Sequence, residues 1–145
     1  MDTKRVVVGV DGSPDSVRAL KWGADYARAQ GAELLAVSVF EVPVVFGGPY
    51  ALSGIPEPDK LEEEARTALS EAVREALGEG AEVTERVEQG HPARVLVNAS
   101  RAAQLVVVGS RGRGGFVGLM LGSVSQYCVT HARCPVLVMP HEDQE

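Results

Sequence analysis

Glycines at 109, 112, 114, 115, 118 and 122 crowd one stretch, Gly109-Ser110-Arg111-Gly112-Arg113-Gly114-Gly115-Phe116-Val117-Gly118-Leu119-Met120-Leu121-Gly122-Ser123. Backbone without Cβ atoms can adopt positive φ and bring its N–H groups close to a ligand. The stretch ends at Ser123, where a helix is expected to begin. A helix N-terminus offers unpaired N–H groups and the positive end of a dipole. The chemistry these features serve is the holding of an anion, a phosphate above all. A purely structural role competes with it, because any strand-to-helix turn uses a glycine or two. Ser123 with Gln126 also matches a capping box that needs no ligand. So many glycines exceed what one turn requires, however, and each carries an entropic cost. No Gly-x-x-x-x-Gly-Lys-Ser/Thr occurs, and the glycines after Val108 do not follow Gly-x-Gly-x-x-Gly. The stretch is neither a Walker loop nor a dinucleotide fingerprint.

Asp11 is the second residue with chemistry to offer. It follows the apolar run at 5–10 in Asp11-Gly12-Ser13-Pro14, at the carboxyl end of an expected strand, where open parallel sheets place ligands. It either contacts the ligand or stabilises the turn through its own side chain.

The elements that must position these residues alternate between strand and helix. Strands are expected at 5–10, 34–40, 81–88, 105–108 and 136–139, and helices at 14–30, 59–77, 92–103 and 123–133. Ser13 caps the first helix, Pro14 opens it and Gly31 ends it. Val17, Leu20, Ala24 and Ala27 line one face of that helix. Leu61, Ala65, Ala68, Leu69, Ala72, Ala76 and Leu77 line the second, with Glu62 and Arg66 spaced to pair. The run at 105–108, Leu-Val-Val-Val, reads as a strand buried on both faces, whereas 81–88 reads as an edge strand. The stretch at 41–57 mixes proline and glycine with apolar residues and is expected to be a lid or a plug at the sheet edge. Alternation without repeats predicts an α/β fold, a doubly wound parallel sheet of five strands with four helices. A chain of 145 residues suits one domain, 1–145.

Composition narrows the function classes. Residues 101–141 hold four arginines and no carboxylate, so the remainder of a chain of net charge −6 carries ten net negative charges. An acidic body disfavours nucleic acid, and the carboxylate-free segment containing the glycine loop suits an anionic ligand. No run is long enough to span a membrane, and the first five residues lack a signal-peptide core. A cytoplasmic location is expected. Cys128 and Cys134 form no Cys-x-x-Cys pair, and His91, His131 and His141 have no ligand spacing. Reduced thiols and no protein-built metal site are expected.

Gly109, Gly112, Gly122 and Ser123 match Gly-x2-Gly-x9-Gly-Ser/Thr, and with this spacing the chain resembles the ATP-binding branch of the universal stress protein family. The opening 6–13, Val-Val-Val-Gly-Val-Asp-Gly-Ser, and the closing 134–138, Cys-Pro-Val-Leu-Val, resemble the family's first and last strands. Nearly the whole chain is covered, the 41–57 loop least. The resemblance implies strand order 3-2-1-4-5 and ATP as ligand, with Mg2+ brought by the nucleotide. It implies a binding set of Val10, Asp11, Val39, Gly109, Gly112, Gly122, Ser123, Val124 and Ser125. In that set Asp11 approaches ribose or adenine, Val10 and Val39 flank the base, Gly109 nears the ribose, and Gly112, Gly122, Ser123 and Ser125 hold phosphates. Arg111 and Arg113 either add charge or point into solvent. A homodimer through the final strand is also implied. Gln104 stands where the family commonly has an aspartate, at the strand end away from the ligand. The expected function is a nucleotide-dependent regulatory or stress-response module with little hydrolysis and no catalytic residue. The alternatives are a slow ATP hydrolase or nucleotidyl-transfer enzyme on the same fold, and a flavin-binding electron carrier.

Overall fold

In the computed structural model, which describes residues 4–42, 57–111 and 121–142, five strands alternate with four helices. They are β1 (Arg5–Gly9), α1 (Pro14–Gln30), β2 (Glu33–Phe40), α2 (Pro58–Leu77), β3 (Thr84–Gln89), α3 (Pro92–Ser100), β4 (Leu105–Gly109), α4 (Ser123–His131) and β5 (Val136–Met139). Every pairing is parallel, in the order β3-β2-β1-β4-β5. The order reverses between β1 and β4. Their carboxyl ends open a crevice, the place where such sheets take ligands.

Side chains alternate between faces with period two, so the central valines divide between two cores. Val6, Val8, Leu34, Ala36 and Val107 join α1 and α2 in one core. Val7, Leu35, Val37, Val106 and Val108 join residues of α3 and α4 in the other. Burial on both faces explains why β1 and β4 are uninterrupted apolar runs.

Local chemistry sets the helix ends. Ser13 caps α1, its Oγ accepting from Ser16 N at 3.2 Å, and Gly31 closes it with its N–H turned back to the Ala27 and Arg28 carbonyls. Along α2, Glu62 and Arg66 pair at 3.0 Å, and Leu69, Ala72 and Val73 are its buried residues. Ala68, expected in the stripe, is exposed.

Three element boundaries differ from expectation by more than one residue. β3 begins at Thr84 rather than 81, because its ladder starts opposite Leu35. α3 stops at Ser100, not 103, since the N–H groups of Arg101, Ala102 and Ala103 bond three residues back rather than four. α4 stops at His131, not 133, where Ala132 turns to an extended ψ of 151°. The expectations for most of the 41–57 loop, for Gly112 and for Arg113 lie outside the described residues.

Candidate functional site

The β1 turn forms the first wall of the crevice. Asp11 Oδ1 accepts from Ser13 N at 2.9 Å, so the turn-stabilising role is present, and the side chain is exposed. Gly12 makes this turn possible with φ 83°, a left-handed conformation that L side chains resist. The β1–β2 register pairs Gly9 with Val37, which sets Asp11 level with Val39 two residues on. Val10 is 5% exposed and belongs to the α1–α2 core. Val39 is partly buried against the other core. The two valines therefore face opposite sides of the sheet. Val10 lends the crevice its backbone, and Val39 a half-buried side chain.

The second wall is β4 with the start of α4. Continuing the β1–β4 register, which pairs Val8 with Val107, brings Gly109 opposite Val10. A Cβ on Gly109 would lie 2.8 Å from Asp15 Cβ and 3.3 Å from the Asp15 backbone carbon. Glycine is required here for close approach, since the conformation is not left-handed. Ser110 then joins the two segments. Its N–H donates to Met139 O at 2.9 Å, extending the ladder with β5. Its carbonyl accepts from Gly122 N at 2.5 Å and from Ser125 Oγ at 3.1 Å. Gly109, Gly122 and Ser125, far apart in sequence, thus converge through one residue that was not in the implied set.

At the start of α4 the capping box that Ser123 and Gln126 match in sequence is not formed. Gly122 is the N-cap, with φ −75° and ψ 171° and no side-chain cap bond. Ser123 is already helical, so its hydroxyl cannot serve as the N-cap oxygen. Gln126 donates Nε2 to Leu121 O at 3.1 Å instead of accepting a backbone N–H. Intrahelical bonding resumes with Gln126 N to Gly122 O at 3.0 Å. The first N–H groups of the helix, those of Ser123, Val124 and Ser125, are the ones that geometry leaves without intrahelical acceptors. Ser123 is exposed, Val124 half-buried and Ser125 buried. An uncapped N-terminus beside glycine backbone is suited to oxygen atoms bearing negative charge.

Asp15 was missed as a crevice residue. Its side chain is 5% exposed and lies against Gly109. His141 Nδ1 sits 2.9 Å from its Oδ2, and Arg18 Nη1 3.8 Å from its Oδ1. The carboxylate-free stretch 101–141 therefore does acquire a carboxylate neighbour, from the opposite end of the chain. No sequence pattern signals this pairing. Gln104, as expected, lies at the far edge, its N–H donating to Arg5 O at 2.9 Å.

The fold and this crevice define a doubly wound α/β domain with its loops gathered at the point where strand order reverses. Residues 2–140 match the model of the Universal stress protein family, and the chain belongs to that family. Universal stress protein Rv1996 of Mycobacterium tuberculosis is 37% identical over 154 residues, covering 94% of this chain and 48% of that protein. The chain thus spans about half the length of such mycobacterial relatives. Universal stress protein MJ0531 of Methanocaldococcus jannaschii is 31% identical, covering 98% of this chain and 85% of that protein. Among solved structures, a universal stress protein from Archaeoglobus fulgidus in complex with dAMP has a TM-score of 0.63 at 25% identity, with 96% of this chain and 99% of that chain covered. Another universal stress protein, in complex with cAMP, has a TM-score of 0.59 at 26% identity, with 93% and 95% covered. Among the described residues no helix is long and apolar enough to cross a membrane.

Proposed function

We propose that this universal stress protein is a nucleotide-binding regulatory module of the ATP-binding branch. It holds ATP in the crevice between β1 and β4 and hydrolyses it slowly or not at all. The observation that carries the reading is the uncapped N-terminus of α4, drawn by its Gly122 N–H onto Ser110 at the end of β4. Two structurally similar family members bound to dAMP and cAMP support an adenine nucleotide as the ligand class.

In this reading Asp11 and the edge of Val39 meet the ribose and base, with Val10 contributing backbone. Gly109 lets the sugar approach closely. Gly112, Gly122, Ser123, Val124 and Ser125 hold the phosphates through N–H and hydroxyl donors. Mg2+ carried on the nucleotide neutralises part of its charge. Backbone donors and a helix end stabilise ground state and transition state alike, so they bind without accelerating chemistry. A homodimer through β5 and a cytoplasmic setting complete the proposal.

Isothermal titration of the purified protein with ATP, AMP and cAMP, with and without Mg2+, tests it. One site per chain that takes ATP is the expected result. Absence of binding for all three nucleotides ends the reading.

A further inference from the structure

The sheet edge opposite the crevice holds a cavity of about 370 Å³, where the chain leaves α1 and α2 to enter β2 and β3. Its size falls within the ~300–1,000 Å³ of small-molecule pockets. Leu34, near the start of β2, and Leu77, at the end of α2, form its floor. Ala24, Ala27 and Ala32 complete that wall, keeping open a space that leucines would close. All five belong to the α1–α2 core or pack against it, so the interior of the cavity is apolar.

The mouth has the opposite character. It lies at the C-terminal ends of α1 and α2, which close at Gly31 and Gly78. The last carbonyls of a helix carry partial negative charge and favour a cation. Glu79 and Glu82 stand exposed at the rim and make no hydrogen bond or ion pair among the described residues. Arg28 is the one cation among the described residues lining the cavity, and Asp25 already engages it at 3.8 Å. Two carboxylates and two helix ends thus bring charge of one sign to the mouth of an apolar space.

We infer that this cavity binds an aliphatic amine, its hydrocarbon chain against Leu34, Leu77 and the alanines and its ammonium at Glu79 and Glu82. An ammonium only donates hydrogen bonds and an ionised carboxylate only accepts them, so the two are matched in role as well as charge. A fatty acid of the same length would bring a like charge to the same rim. The site lies at the amino ends of the strands and is independent of the nucleotide reading.

Titration calorimetry with octylammonium, octanol and octanoate, each kept below micelle formation, tests the inference. Octylammonium is expected to fill one site per chain, about tenfold tighter than octanol, with octanoate weakest. Each carbon removed from the amine should weaken binding about fourfold. Ala24→Leu places a good helix former at a half-buried position of α1. It should abolish amine binding and leave ATP binding as in the parent. The double variant Glu79→Gln, Glu82→Gln should bring octylammonium down to the affinity of octanol without altering octanol itself. Octanoate binding as tightly as octylammonium would overturn the inference, as would a parent with no saturable site for the amine. Ala24→Leu that binds the amine like the parent would do the same. Unchanged amine affinity in the double variant would also overturn it, and that measurement, on exposed residues, stands even if Ala24→Leu does not fold.

Discussion

His141 Nδ1 lies 2.9 Å from Asp15 Oδ2, a contact that joins residues 126 positions apart. Arg18 reinforces it, donating Nη1 to Pro140 O at 2.6 Å and placing Nε 3.4 Å from Glu142. The segment after β5 is thereby fastened across the first turn of α1. Asp15 sits at the positive end of that helix, a favourable place for a carboxylate, and supports the backbone at Gly109 from below. The fastening is predicted to show as coupling energy. His141→Ala should cost about 1 kcal/mol, since its ring is partly solvated, a fall in thermal midpoint of roughly 2–4 °C. Asp15→Ala should cost as much or more, and the double variant less than the sum. Strict additivity in thermal unfolding would mean that the contact contributes nothing.

Gly109 pressed on Asp15 gives a second prediction. An alanine Cβ would meet atoms fixed in a capped, buried helical turn, with no flexible side-chain end to yield. Gly109→Ala is expected to lower stability by about 1–3 kcal/mol and to weaken ATP binding as well. Gly122 is different, because its φ of −75° suits any residue. Gly122→Val should fold normally and lose ATP by obstruction alone. Denaturant midpoints and calorimetry on both variants would separate the two cases. Equal stability loss at 109 and 122 would contradict the distinction.

The course of the fold was legible because its signals are local and periodic. The apolar runs at 6–8 and 105–108, the Ser13–Pro14 start and the Gly31 stop each carry their own physics, and each stands where expected. The sheet order came from resemblance, not from periodicity. What was not legible is long-range or conditional. Asp15 with His141 is a tertiary pairing between chain ends, and nothing in either local sequence distinguishes these residues from solvated ones. Ser123 with Gln126 satisfies the capping pattern, yet Gly122 rather than Ser123 is the N-cap, which leaves the box unmade.

Burial of Cys128 has a consequence at alkaline pH. Its thiol is pushed up from 9.0 to about 11 by desolvation. That of Cys134 is also raised by burial, offset in part by a backbone hydrogen bond at Val106. Well below pH 9.0 both thiols are protonated folded and unfolded, so neither affects the pH dependence of stability there. From about 9 to 11 the unfolded chain releases a proton that folded Cys128 keeps, and stability falls as pH rises. Cys128→Ala should flatten this part of the curve, whatever it does to the level. Chemical unfolding at a series of pH values checks the slope. Alkylation of the folded protein should reach Cys134 before Cys128, which is fully buried.

The outer edge of β5 leads to an assembly prediction. β5 ends the sheet order, and its Val136, Leu137 and Val138 are only half-buried in the single chain. An apolar edge strand invites pairing with another copy. Light scattering should report a homodimer, and Val138→Lys should shift it toward monomer. A parent that is monomeric at micromolar concentration would rule this out.

Turnover of the bound nucleotide should be slow, for reasons the crevice itself supplies. Phosphoryl transfer needs an oriented water or acceptor as well as neutralised charge. The stretch 101–141, which includes the whole of α4, holds no carboxylate to orient that water. Asp11 bonds the Ser13 N–H at 2.9 Å and so spends one oxygen on its own turn. Asp15, the carboxylate that folding adds to the crevice, is buried and engaged by His141 and Arg18, an arrangement that fixes it rather than presenting it to a water. His131, in the last turn of α4, is more than two helical turns from that helix's N-terminus. Its Nδ1 lies 3.1 Å from Tyr127 O. Turnover is therefore expected well below the ~1 to 10³ per second typical of enzymes. A single-turnover assay with radiolabelled ATP and saturating Mg2+ measures it, with Asp11→Asn and Asp15→Asn alongside the parent. Rapid phosphate release that collapses in either variant would show that the crevice holds a working general base, and that the molecule is an enzyme.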